Sequence, residues 1–496
     1  MCSEHANSGS TGMESFSNGA YNNFIGGEWV EGCNYIENIN PSNTNDVIGV
    51  YSQASRDQVH DACKSAEAEF SVWSRQTAQY RANILDEIGQ RILEKKEELG
   101  TLLAREEGKP IREAIGEAER AGHIFKFFAG EAIRLGGEVM SSLRTGISVG
   151  ADRVPIGPVG IITPWNFPIA IPAWKIAPSL AYGCTVVFKP ANLVPACAHA
   201  LTEIFSKCGL NNGEFNLVMG NGSTVGETIT SAREISGVSF TGSTDVGKSV
   251  SSSCVAHGAR FQLEMGGKNP IVVLDDANIE RAAEAAIIGA FFQTGQRCTA
   301  SSRMIVTDGI HDKFIGVVKS KLDDLRIDSA LLHDTDIGPA VDSRQYQQDL
   351  SYIEVGLSEA KLAWGGKCLE RATPDFYIEP ALFVETSNEM KINQEEVFGP
   401  IASVIRVSNY EEALHVANDT PYGLASSIFT ENAKIMNDFR RRSEVGMVMC
   451  NLPTAGLDYH APFGGVKASS YGAREQGTYA REFYTTVKTW YSYDGY

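Results

Sequence analysis

VGIITPWNFPIAIPAWKIAPSLAYG, residues 159–183, opens the series that decides the fold: an apolar run, a turn rich in Pro and Asn, then a long stretch of helical character. The pattern recurs three times. TVVFKP (185–190) precedes VPACAHALTEIFSKCG (194–209), FNLVMG (215–220) precedes STVGETITSA (223–232), and GVSFTG (237–242) precedes STDVGKSVSSSCVAHG (243–258). Four strand-helix units in succession predict an α/β architecture with a parallel sheet covered by helices on both faces. Ligands of such sheets bind beyond the carboxyl ends of the strands, and a dinucleotide is the leading expectation there.

On the N-terminal side, residues 56–135 carry apolar residues at three- and four-residue spacing and read as surface helices. Residues 136–156 change to extended segments broken by Gly and Pro, an excursion from the first domain. On the C-terminal side a second α/β region begins near Lys268, with PIVVLDD (270–276), the helix NIERAAEAAIIGAFFQ (278–293) and the strand SRMIVT (302–307), and runs to about Lys467. The closing EFYTTVKTWYSY (482–493) is β-branched and aromatic and reads as a strand with no partner nearby in sequence, suited to extending a sheet in a neighbouring subunit. The expected organisation is a mobile tail (1–20), a dinucleotide-binding domain (21–135 and 157–267), a catalytic domain (268–467), and a small β oligomerisation excursion (136–156 and 482–496).

A chain of 496 residues exceeds one simple core, and 43% hydrophobic with 21% charged residues is the balance of a packed soluble protein. The net charge of -18, from 43 Lys+Arg and 61 Asp+Glu, repels phosphate backbones and anionic membranes, so neither nucleic acid nor membrane is an expected partner. Ten cysteines lie scattered without a Cys-x-x-Cys pair, as expected of reduced thiols. The first twenty residues lack an apolar signal core, and no apolar run spans a bilayer. A cytoplasmic protein acting on a small molecule is expected, and no metal site is read.

Three positions invite chemistry, each with a plainer alternative. Cys298, in GQRCTA (295–300), falls on a tight loop between a helix and a strand and is either a nucleophile or an inert thiol; Arg297 beside it would favour thiolate. Glu264, in LEMGGKNP (263–270), ends a strand and is either a general base with a raised pKa or a cap for the Gly-Gly turn. Asn166, in TPWNFP (163–168), is either an oxyanion donor or the cap of a helix starting at Pro168. Two Gly-rich turns are candidate phosphate cradles. Gly220-Asn221-Gly222 with Gly226 has spacing one residue too long for a dinucleotide fingerprint, whereas Gly242-Ser243 through Gly247 joins a strand to a helix, with Ser243 either meeting phosphate or merely capping.

TPWNFP, FTGS (240–243), LEMGGKNP, GQRCTA, EEVFGP (395–400) and PFGGVK (462–467) together resemble, in order and spacing, the signature segments of the aldehyde dehydrogenase superfamily, from about Tyr21 to the C-terminus. The resemblance implies a Rossmann-type cofactor domain and an α/β catalytic domain. It implies Cys298 as nucleophile, Glu264 as general base, Asn166 with the Cys298 N–H as oxyanion hole, and Lys175 and Glu475 as a proton relay. It further implies that Thr163, Pro164, Trp165, Lys189, Asn192, Gly222, Gly226, Phe240, Thr241, Gly242, Ser243, Gly247, Met265, Gly266, Glu396 and Phe398 line an NAD or NADP site, and that Phe167, Arg297 and Thr299 meet substrate.

In NAD-preferring members a Glu commonly occupies the position of Asn192, where it repels a 2'-phosphate; Asn192 therefore favours NADP acceptance. NLPTAGLDYHAPFGGVKASSYGAREQG (451–477) is similar to the α-ketoglutaric semialdehyde (2,5-dioxovalerate) dehydrogenase branch, and Arg297 suits a substrate carboxylate unless it pairs with an acidic neighbour. Another semialdehyde or an aromatic aldehyde stays open as substrate. A CoA-acylating relative is expected to lack the Glu264 base, and a non-catalytic homologue to lack the thiol or the base. The family habit is a homodimer or homotetramer.

Overall fold

The structure, a computed structural model, describes residues 19–496 apart from Asn211, Asp494 and Tyr496; the expected tail lies outside the described residues up to residue 18. The four units form as expected. Val159–Ile162, Val186–Lys189, Phe215–Leu217, Gly237–Thr241 and Arg260–Glu264 build the parallel core of an eight-stranded sheet, in which Phe215–Leu217, Val186–Lys189, Val159–Ile162, Gly237–Thr241 and Arg260–Glu264 follow one another. The strand order reverses between Val159–Ile162 and Gly237–Thr241, which leaves a crevice at their carboxyl ends. These strands are buried on both faces because helices cover both, and the helix Ala170–Ala181 is itself buried all round. Asn23–Ile25 and Glu28–Val30 extend one edge, and Ser470–Tyr471 adds an antiparallel strand beside Arg260–Glu264 at the other.

The helices within 56–135 are not all peripheral. Ile111–Arg134 buries Ala114, Ala118, Ala121, Phe125 and Phe128 and packs on Ala78–Glu94 and Ala170–Ala181, because its apolar stripe is wide enough to serve two neighbours.

The second sheet runs Lys361–Gly365, Ala381–Thr386, Ile401–Val407, Arg303–Thr307, Pro270–Val273, Ala425–Phe429, Met447–Cys450, parallel except for its first strand. Its construction positions the site. The chain leaves the first sheet at Glu264 and enters the second at Pro270, whose parallel partner is Arg303. That register lays residues 298–302 beside 265–269, and Asn269 Nδ2 fixes the approach by donating to Cys298 O (2.8 Å) and Ala300 O (3.0 Å). Positions 29 and 31 residues apart in sequence are thereby joined.

The closing strand has a partner within its own chain. Thr485–Tyr493 pairs along its full length with Ile147–Pro155 of the same chain, which also pairs with Glu138–Met140. Sequence distance hid this partner, since non-local antiparallel pairing leaves no local signal.

Candidate active site

The helix Ile279–Ala290 ends before a turn in which Gln293 (φ 54°), Thr294 (φ 58°) and Gly295 (φ 66°) take left-handed backbone. Such non-glycine residues cost on the order of 1 kcal/mol each and persist only where the surroundings over-determine them. Here Thr294 Oγ1 donates to Gly338 O at 3.0 Å and Gln296 Oε1 accepts from Val341 N at 2.9 Å. A side chain at Gly295 would meet Gly399 O at 2.2 Å, so the turn admits only glycine there. Cys298 follows on this braced loop.

Cys298 lines a cavity of about 510 Å³ together with Phe167, Ile171, Trp174, Phe292, Leu457 and Phe463. Burial, reinforced by the carboxylates of Glu396 and Glu264, pushes its thiol up to about 12, against the pull of the Cys298 and Thr299 backbone amides. The expected help from Arg297 is a correction: its guanidinium donates to Glu113 (2.8 Å) and Ile288 O (3.2 Å), so its charge is answered by a carboxylate.

Glu264 ends its strand 2% exposed. Its Oε2 accepts from Ser470 Oγ at 2.6 Å, while Oε1 has no hydrogen-bond partner among the described residues. Burial and the nearby Glu475 carboxylate raise its pKa well above the usual carboxylate range, with Ser470, Lys175 and Arg474 opposing. The capping reading fails for Glu264, because the Gly267 N–H goes instead to Glu396 Oε1 at 2.9 Å. Glu475 accepts from Trp174 Nε1 at 2.6 Å and from Lys175, which also donates to Ser239 Oγ at 2.9 Å. Lys175, Glu475 and Glu264 thus form one buried electrostatic group.

Asn166 does not cap a helix at Pro168. The helix begins at Ala170, its first amides are taken by Glu117 Oε1 (Ile169 N 2.9 Å, Ala170 N 3.0 Å), and Asn166 Nδ2 reaches the cysteine loop at Gln296 O, 3.0 Å. Lys109 secures the same turn through Asn166 O (2.7 Å) and lies 4.0 Å from the Phe167 ring centroid. Thr299 binds this loop to Thr454 through its carbonyl (2.6 Å).

Around the crevice, Trp165 and Phe398 meet edge to face at 5.4 Å, and Glu396, pushed up to about 7 by burial, crowds Gly266 so closely that a Cβ there would lie 2.3 Å from its Oε2. Gly242 and Gly247 have no room for a side chain against Phe240 and Met265 (2.6 and 2.4 Å). Ser243 occupies the N-cap position of Thr244–His257 yet makes no capping bond with its hydroxyl. Thr163 Oγ1 and Thr241 Oγ1, at the ends of neighbouring strands, are buried without partners among the described residues. Lys189 is buried, donates to Pro190 O at 2.8 Å and is pushed down to about 8. Gly222–Gly226 forms one π-helical turn, with Gly226 beside the Lys189 side chain. Asn192 lines a crevice with Glu37, Asn38 and Asp342, and Pro164 follows the buried Thr163.

Sequence reading missed Glu113, Arg120, Trp174, Phe463 and Gln476, all lining the cavity. Glu113 and Arg120 lie two turns apart on one helix, and nothing local marks which of its faces meets the cysteine loop.

The aldehyde dehydrogenase family pattern matches residues 29–490. The α-ketoglutaric semialdehyde dehydrogenase of Bacillus subtilis (strain 168) is 42% identical, over 95% of this chain and 97% of that protein. The 2,5-dioxopentanoate dehydrogenase of Saccharolobus solfataricus is 38% identical, over 94% and 98%. The crystal structure of betaine aldehyde dehydrogenase from Staphylococcus aureus in complex with NAD+ aligns with a TM-score of 0.93 at 32% identity, covering 96% of this chain and 95% of that one. With a cysteine and a carboxylate meeting beside a Rossmann-type crevice, the chain belongs to the aldehyde dehydrogenase family, NAD(P)-dependent enzymes that oxidise aldehydes to carboxylic acids.

Proposed function

We propose that this enzyme oxidises a carboxylated semialdehyde, α-ketoglutaric semialdehyde first, with Cys298 as nucleophile and Glu264 as the base that activates water. The observation that carries the roles is a buried carboxylate with one unpartnered oxygen, close enough to the Cys298 sulfur to raise its pKa. The relatives acting on α-ketoglutaric semialdehyde and 2,5-dioxopentanoate support the substrate.

The residues present fit a nicotinamide dinucleotide. Unpartnered Thr163 and Thr241 hydroxyls, side-chain-free Gly242 and Gly247, the uncommitted Ser243 cap and buried Lys189 surround the strand ends where such a group binds. Glu396, Phe398, Trp165, Met265 and Gly266 would hold its nicotinamide half. When bound, it supplies the hydride acceptor. Asn192 leaves no carboxylate at its position to repel a 2'-phosphate, so NADP is accepted alongside NAD.

The deprotonated Cys298 sulfur adds to the aldehyde carbon, and the alkoxide is met by Asn166 Nδ2 and the Cys298 N–H. Collapse of this tetrahedral adduct releases hydride and leaves a thioester on Cys298. Glu264 takes a proton from the water that attacks the thioester carbon, the C–S bond breaks, and the carboxylic acid and the Cys298 thiolate separate. Lys175 and Glu475 pass the proton onward. Presence of Glu264 argues against transfer to CoA.

The segments 21–135 with 157–267 serve as the dinucleotide-binding domain and 268–467 as the catalytic domain. The edges of the sheet built from 136–156 and 482–496 serve oligomerisation, as a homodimer or homotetramer, in the cytoplasm. In the test, Cys298→Ala abolishes aldehyde-dependent reduction of NAD and NADP, while Glu264→Gln retains one burst of reduced cofactor per subunit and loses turnover. Undiminished turnover in either variant would refute the roles, and NADP rates below a tenth of NAD rates would refute the cofactor reading.

A further inference from the structure

The cavity lined by Cys298 has mostly apolar walls, and two of its polar side chains, Arg120 and Gln476, each hold a buried nitrogen without an acceptor among the described residues. Arg120, from the helix Ile111–Arg134, donates to Leu457 O and, at 3.1 Å, to Gln476 Oε1; its Nε is buried with no hydrogen-bond partner among the described residues. Its guanidinium lies 5.9 Å from the Trp174 ring centroid. Glu117 and Asp458 are the acidic groups that act on it, yet among the described residues no carboxylate lies within ion-pair distance. Gln476 is 1% exposed, and with Oε1 committed to Arg120 its Nε2 points two N–H bonds at no acceptor. Its backbone is left-handed (φ 60°), and the next residue, Gly477, cannot carry a side chain because His460 O would lie 2.4 Å from it. The backbone conformation and the bond from Arg120 to its Oε1 together set the amide in place.

A half-buried cation without a counter-charge and a buried amide N–H without an acceptor each cost free energy that a ligand with matching oxygens returns. Arg297, the other cation lining the cavity, also has a free Nε, but its charge is already met by Glu113 at 2.8 Å. We propose that Arg120 and Gln476 form the polar end of the substrate cavity, Arg120 Nε receiving a substrate carboxylate and Gln476 Nε2 the 2-oxo oxygen beside it. The inference rests on the semialdehyde reading above and deepens it. A 2-oxo acid presents two acceptors side by side, matching two adjacent donors. An aldehyde with a carboxylate alone satisfies Arg120, and a neutral aldehyde strands both.

The test compares kcat/KM of the full-length enzyme, with saturating NAD, for three five-carbon aldehydes: α-ketoglutaric semialdehyde, glutaric semialdehyde and pentanal. Arg120→Met lowers the ratio of α-ketoglutaric semialdehyde to pentanal about 30-fold, as expected for a hydrogen bond between charged groups, and Arg120→Lys recovers part of it. Gln476→Leu lowers the ratio of α-ketoglutaric to glutaric semialdehyde about fivefold and leaves the ratio of glutaric semialdehyde to pentanal near its original value. Competitive inhibition by 2-oxoglutarate weakens in parallel, which reports binding without turnover. If the unaltered enzyme prefers pentanal to both acids, the semialdehyde reading falls and this inference with it. If it prefers the acids but the ratios in Arg120→Met and Gln476→Leu stay within threefold of its own, only the assignment of these two residues is overturned.

Discussion

Arg297 donates to Glu113 across 2.8 Å and so ties the cysteine loop to the helix Ile111–Arg134. Arg297 is almost sealed from solvent and Glu113 about one-fifth exposed. Removing one partner leaves a desolvated charge, whereas removing both does not. Arg297→Ala is therefore expected to lower stability by about 1–3 kcal/mol, less than for a fully buried pair. The double variant with Glu113→Ala should regain part of that loss. Thermal unfolding of the single and double variants measures it, and strictly additive losses would show that the pair is not coupled.

The pKa of Cys298 predicts a slow thiol in the cofactor-free enzyme. The thiolate is the reactive form, and with the group pushed up to about 12 its fraction grows as pH rises across the whole working range. Alkylation of Cys298 by iodoacetamide, measured against Cys298→Ala as background, should climb about tenfold per pH unit from pH 6 to 9. A plateau below pH 8 would mean that a cation the structure does not place beside the sulfur is lowering its pKa.

Lys175 and Glu475 act on Glu264 with opposite sign. Glu475 raises the Glu264 pKa and Lys175 lowers it. The role proposed for Glu264 as a base requires it deprotonated, so the thioester-hydrolysis rate is expected to rise with pH through its folded-state pKa. Glu475→Gln should move that rise to lower pH, and Lys175→Gln should move it to higher pH. The pH profile of kcat under conditions where hydrolysis limits turnover gives both shifts, and shifts of the same sign in the two variants would contradict the arrangement.

The sequence by itself determined the parallel sheet, the cysteine loop and the strand-end position of Glu264. Each is written in local pattern: four apolar runs followed by helical stretches, a helix giving way to GQRCTA, and an apolar strand stopping at Gly266-Gly267. It also held Lys175 and Glu475 as family positions, but not their contact, which joins residues 300 apart.

Tertiary structure alone decided what each polar group meets. Arg297 looked like a thiolate activator because it is adjacent to Cys298 in sequence, yet its long side chain extends to another helix. Glu396, not Glu264, caps the Gly266-Gly267 turn because the loop before Phe398 folds back onto it. Thr485–Tyr493 found a partner far back in the chain, Tyr493 against Ile147 at the end nearest the C-terminus and Thr485 against Pro155 at the other. Arg120 and Gln476 carry no local mark of the role proposed for them, which lies in being bonded to each other in one cavity while Arg120 Nε and Gln476 Nε2 stay without acceptors among the described residues. Periodicity and turn chemistry act over a few residues and survive in the sequence. Hydrogen-bond partnership and desolvation depend on distances in space that only the folded chain sets.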